Sequence, residues 1–257
     1  MKARLVPTAR GVHWLAEGWR LFRVAPPAWL GLMLAYLMLV VLVTRLGKFG
    51  LAAMVILTPA VTLVFMSASR MCGRRKGFGP ADLLTDLRAS LRAQLALGVV
   101  YLGLLGLVFG AASALDDGAL ARWVLSGRPP EDEVLDSGAF AASRALALAL
   151  SALLTLLYWF APMLAAWNGM GVAQALFYSF FAALMNWRAF LAYGAAVGLV
   201  AIAFPLAALF ALALATGGLS RVASAAILWT ALLLFLPVIL ASIYASYRDV
   251  FGADEGT

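Results

Sequence analysis

The chain reads as an all-α polytopic membrane protein, with six transmembrane helices and amphipathic helices lying at the cytoplasmic interface. Six apolar stretches of about 17 to 29 residues occupy more than half of the 257 residues, and none carries a charged side chain in its interior. A helix rising 1.5 Å per residue needs roughly 20 apolar residues to cross about 30 Å of hydrocarbon. Hydrophobic residues make up 65% and charged residues 12%, with mean hydropathy +0.97, where a soluble domain is about half apolar and a quarter charged. The longest polar stretch, 116–144, is too short for a core of its own, so residues 1–257 read as a single integral membrane domain.

A surface helix is expected over about 9–24. Val12, Leu15, Trp19 and Phe22 recur at i, i+3, i+7 and i+10, while Arg10, His13, Glu17 and Arg20 repeat with the same spacing on the opposite face. That is an interfacial helix with an aromatic underside and a solvated charged face. Its charges also interrupt any apolar signal-peptide core in the first 25 residues, so no cleavable signal is expected. Spans follow at about 28–44 and 49–69. Gly79-Pro80 then breaks the chain, Pro80 suits a first helical turn, and Leu84, Leu87 and Leu91 form the stripe of a second surface helix.

The third span is placed at about 93–115, followed by the outer loop 116–144. There Asp117 is expected to cap a short helix through Ala119–Leu125 with Leu120 and Trp123 facing lipid, ended by Arg128-Pro129-Pro130. The fourth span is read at about 145–167, a third and more apolar surface helix at about 172–186, and the last spans at about 189–217 and 222–247. The chain thus divides into three units, each a surface helix followed by a two-span hairpin. Overlaying Trp14–Leu30 on Ala175–Leu191 places Gly18 on Ser179 and Trp29 on Phe190. An internal repeat and the general look of any interfacial helix feeding a span both fit that overlay.

With the N-terminus inside, 13 of the 19 Lys and Arg residues fall on inner segments. Both termini are therefore expected to be cytoplasmic. The net charge of +7 is accounted for by these topology signals and by anionic headgroups, so nucleic acid is not an expected partner. A single cysteine, Cys72, excludes an intramolecular disulfide, and a single histidine, His13, excludes paired-histidine metal or haem ligation.

The candidate functional positions are few. Arg74, Arg75 and Lys76 form a basic run suited to lipid headgroups, and neighbouring Cys72 is a candidate modifiable thiol. Pro59, Pro162, Pro205 and Pro237 fall inside spans, where a missing N–H frees a carbonyl and bends the helix. Tyr158, Trp159 and Pro162 either line a cavity or pack as an aromatic belt. Gly103, Gly106 and Gly110, with Gly194 and Gly198, mark expected close helix contacts. No Walker A, GxGxxG, HExxH or GxSxG motif occurs, and no carboxylate pair lies within a span. No catalytic, cofactor or metal site is therefore assigned, and no cofactor is expected.

Gly18-Trp19-Arg20-Leu21-Phe22-Arg23 with Ala25-Pro26 and Trp29, Trp159-Phe160-Ala161-Pro162, Asn186-Trp187 with Phe190-Leu191, and Tyr247-Arg248-Asp249-Val250-Phe251 carry a resemblance. Together they resemble an uncharacterised family of proteobacterial six-span inner-membrane proteins. More distantly, they resemble the membrane domain of some glycerophosphodiester phosphodiesterases. The resemblance implies the fold and a bacterial cytoplasmic membrane; it brings no catalytic residues, and no stretch of the chain supplies the phosphodiesterase catalytic domain. The expected role is that of a non-enzymatic accessory, scaffold or envelope-maintenance protein with membrane lipids and membrane proteins as partners. A homo-oligomer is allowed but not indicated. The alternative is a transporter or flipping path for an amphiphilic or lipid-like substrate along the kinked fifth and sixth spans.

Overall fold

The computed structural model describes residues 3–216, 218 and 220–252. Eleven helices follow one another among them: α1 (Arg10–Phe22), α2 (Pro26–Thr44), α3 (Lys48–Gly73), α4 (Pro80–Asp116), α5 (Ala119–Ser126), α6 (Asp132–Leu135), α7 (Gly138–Tyr158), α8 (Ala161–Trp167), α9 (Val172–Met185), α10 (Trp187–Thr216) and α11 (Arg221–Phe251). No strand occurs among the described residues. Six helical segments are long and apolar enough to cross a membrane, with α7 and α8 together making the fourth.

Two expected boundaries change. The second surface helix is not separate: α4 runs unbroken from Pro80 to Asp116, with Gly79 N–H held by Asp82 Oδ2 at 2.9 Å at its start. The fourth span is not continuous, because α7 ends at Tyr158 and α8 restarts at Ala161 with Pro162 in its first turn. Pro162 therefore opens a new helix, whereas Pro59, Pro205 and Pro237 sit inside α3, α10 and α11.

The described residues form two compact units. The first gathers 3–39, 62–86 and the described residues from 182 to 252; the second gathers 40–61 and 87–181. In the first unit α1 packs on α10 and α11. Its buried face is Gly11, Trp14, Glu17, Gly18, Leu21 and Phe22, while Val12 and Trp19 stay 53% and 47% exposed. Of the apolar stripe read from sequence, Val12 and Trp19 thus point away from the protein, whereas Phe22 turns in. On the expected charged face His13 and Arg20 are exposed, but Glu17 is only 7% exposed and turns inward.

Glycine makes this docking possible. A Cβ on Gly11 would collide with the Ala189 carbonyl and lie 2.8 Å from Tyr193 N; one on Gly18 would collide with the Val238 carbonyl and lie 2.9 Å from Ser242 N. Gly50 and Gly98 allow equally close approach of the Val43 and Ile56 carbonyls within the second unit. The expected contact glycines are corrected: nothing lies within 4 Å of a Cβ built on Gly103, Gly106, Gly110, Gly194 or Gly198. Close approach is set by which face meets a neighbouring backbone, and the GxxxG spacing alone does not specify that.

In the second unit, α5 and α7 share a core of Val108, Leu120 and Phe140, with Trp123 stacked on Phe140 at 6.0 Å between ring centroids. Leu120 and Trp123 therefore face protein, which corrects their expected lipid exposure. Asp116, not Asp117, caps α5, accepting from Gly118 N at 3.0 Å and Leu120 N at 2.9 Å. Asp117 takes a positive φ of 50°, which leads the chain into the turn.

Candidate functional site

Two polar constellations stand out, one in each unit. The first ties the chain's two ends together. Arg10 forks onto Asp249, with Nε and Nη2 each 2.7 Å from a carboxylate oxygen, and Trp14 Nε1 donates to Asp249 Oδ2 at 2.8 Å. Arg10, Arg20 and Arg248 all converge on Glu17, the first two at 3.2 and 3.4 Å. The hydrogen bond to Asp249 raises the Arg10 pKa above its ordinary value.

Asn186, at the corner between α9 and α10, completes the knot. Its Oδ1 accepts from Val6 N at 2.8 Å, and its Nδ2 donates to the Arg4 and Ala182 carbonyls at 3.0 and 2.9 Å. Arg4 N bonds the Val250 carbonyl at 2.8 Å. Trp14 meets Phe190 edge-on at 5.4 Å, and Tyr193 OH lies 2.6 Å from Ser242 Oγ. Every polar group named here closes on another part of the same unit. Chemically the arrangement is a latch.

The second constellation surrounds the break between α7 and α8. Ser179 of α9 accepts from Phe160 N and donates to the Leu156 carbonyl, both at 2.9 Å. Those two groups would bond each other in an uninterrupted helix, so the hydroxyl has inserted into the helical ladder. Gln94 of α4 donates to the Pro162 carbonyl at 2.9 Å, and Tyr158 OH donates to the Leu97 carbonyl at 2.9 Å. Tyr101 packs on Tyr158 at 4.6 Å. Gln94 is fully buried and its Oε1 has no hydrogen-bond partner.

The expected site residues divide accordingly. Tyr158 and Pro162 belong to the break, with the Tyr158 hydroxyl committed to a backbone carbonyl. Trp159 lies at the bend itself and is half-buried. Pro237 is buried beside the Gly18 crossing, and Pro205 is half-buried in a largely exposed stretch of α10. Of the basic run, Arg75 adopts φ 55° as the left-handed cap of α3, with Lys76 N reaching back to the Met71 carbonyl at 3.2 Å. Arg75 lines a cavity of about 320 Å³ together with Arg20, Arg23, Arg248 and Glu17, whereas Arg74 and Lys76 stay exposed outside its wall. Cys72, the candidate modifiable thiol, is buried at the same wall.

Sequence reasoning missed Glu17 and Asp249 as interior groups, and it missed Gln94 and Ser179. The only signals were a carboxylate near each terminus and two polar residues within otherwise apolar helices. A probable inner membrane protein of Burkholderia thailandensis is 33% identical to this chain over 260 residues, covering 97% of the chain and 94% of the relative. The chain belongs to this inner-membrane family. No family model matches the sequence, and no solved structure matches it. With its six long apolar helices, this member is a multi-pass inner-membrane protein. Several of the residues that carry the resemblance to six-span inner-membrane proteins meet in space: Asn186, Phe190, Arg248 and Asp249 lie in the latch and Gly18 beside it, whereas Trp159-Phe160-Ala161-Pro162 belong to the break.

Proposed function

We propose that this family member is a non-enzymatic inner-membrane protein with an accessory, scaffold or envelope-maintenance role, acting through lipid and protein contacts and oriented with both termini in the cytoplasm. The observation that carries the reading is where the polar chemistry goes. Glu17, Asp249, Asn186 and Ser179 each bind the chain's own backbone or its own cations. A transporter instead turns ionisable or broken-helix groups toward a central path. Here the broken-helix groups Phe160 N and Leu156 O are taken up by Ser179. Outward, the molecule offers apolar side chains beside arginines, as with Trp19 next to Arg20 and Arg23.

The purified protein in sealed proteoliposomes should show no saturable, gradient-driven uptake of solutes and no acceleration of labelled-phospholipid flip over protein-free vesicles. Saturable uptake, or flip that scales with protein content, would favour the carrier reading and overturn this one. Reporter fusions after Lys76 and after Arg128 should report opposite sides, the first inside; the reverse assignment would overturn the orientation.

A further inference from the structure

The cavity beside Arg75 has a counterpart in the other unit. In the first unit, the end of α3 lies against α1. The cavity there is walled by Arg20, Arg23, Arg75 and Arg248 with Leu21 and Val24. In the second unit, the part of α4 from Arg88 to Ala93 faces the end of α8 and the turn after it. There a cavity of about 650 Å³ is walled by Arg88 and Arg92 from α4, with Leu91, Ala165, Gly169 and Met170. Each wall carries a left-handed residue, Arg75 at φ 55° and Gly169 at φ 63°.

The charge in these cavities is not matched from within. Glu17 is the one carboxylate in the first wall, and Arg10, Arg20 and Arg248 already hold it. Among the described residues no carboxylate pairs with Arg23, Arg75, Arg88 or Arg92. The wall of the second cavity contains no acid at all. Guanidinium forks match the oxygens of a phosphate, and they do so best where water is partly excluded. The apolar share of each wall, and the exposed Val12, Trp19, Leu84 and Leu91 on the same two helices, suit a ligand with a hydrocarbon tail.

We infer that each unit holds one anionic phospholipid by its phosphodiester, through Arg23 and Arg75 in the first cavity and Arg88 and Arg92 in the second. The inference deepens the lipid-contact reading above. Solute uptake or scaled lipid flip would sink that reading without altering lipid counts, whereas a failure of the counts sinks the cavities alone.

The test uses the full chain, delipidated in detergent and titrated with phosphatidylglycerol, with bound lipid counted by native mass spectrometry. The unaltered protein should retain two lipids at low lipid excess. The pair R23A/R75A should lose one, R88A/R92A the other, and the outer-loop pair R122A/R128A, which removes the same charge, should lose neither. Retention of both lipids by either cavity pair, or equal loss from the outer-loop pair, would overturn the proposal. A second set, R23K/R75K and R88K/R92K, keeps the charge and loses the fork; each should bind its lipid about tenfold more weakly. This set stands in if an alanine pair fails to fold, and native affinity in it would overturn the assignment. Excess inorganic phosphate should leave both lipids in place. Displacement at millimolar phosphate would make these sites for the free anion and overturn the lipid assignment.

Discussion

Two proline-bearing helices, one in each unit, are crossed by a surface helix at a small residue, and the outcomes differ. On α11, Pro237 lies beside the point where Gly18 of α1 meets the Val238 carbonyl, and the helix runs on without interruption to Phe251. On the fourth span, Pro162 lies beside the point where Ser179 of α9 arrives, and the helix parts into α7 and α8. A proline removes one N–H and leaves one carbonyl free in either place. The difference is the hydroxyl. Glycine brings only proximity, so α11 keeps its remaining ladder, whereas the serine side chain takes a donor and an acceptor out of the ladder and stabilises the bend. The helix that crosses a proline therefore decides whether it acts as a break.

The largest effect should come from filling the glycine crossing. Gly18→Leu forces a side chain into the Val238 carbonyl and should destabilise the protein by about 3 kcal/mol, with hydrogen exchange rising first across α1. Protection of α1 equal to that of the unaltered protein would show that the α1–α11 contact is not close. Ser179→Ala tests the other crossing: Phe160 N and Leu156 O must then pair with each other or stay unpaired. The cost should be about 1 kcal/mol, read as a lower detergent unfolding midpoint, and a rise in stability would mean that the ladder closes better without the hydroxyl. The smallest effect compares the two left-handed residues. Gly169 takes its left-handed conformation without strain, but Arg75 does not. Arg75→Gly should therefore stabilise by roughly 0.5 to 1 kcal/mol, while weakening lipid retention in the first cavity.

The overlay of Trp14–Leu30 on Ala175–Leu191 gains support from burial. Trp14, Gly18, Leu21 and Phe22 are buried, and so are their counterparts Ala175, Ser179, Ala182 and Ala183. A second correspondence is visible only in the structure. Arg70 and Arg248 each stand eleven residues after a proline, and each faces a carboxylate, Asp86 at 3.9 Å and Glu17 respectively. In each pair an arginine near the end of a span meets an acid on another helix.

Along the chain, apolar length was enough to read the six spans, because crossing hydrocarbon demands about 20 apolar residues whatever the neighbours are, and periodicity gave the first and third surface helices but not the fusion of the second into α4. Lipid and protein interior are nearly equivalent to an apolar side chain, however, so hydropathy carries no information about which face of a helix meets protein. Tertiary structure alone decided that Val12 and Trp19 turn outward while Glu17 turns inward, and that Gly18 rather than Gly106 touches a neighbouring backbone. It alone brought Arg10 to Asp249 across nearly the whole chain. Those choices depend on shape and on satisfying polar groups where water is scarce, and both are properties of pairs of elements rather than of any one segment.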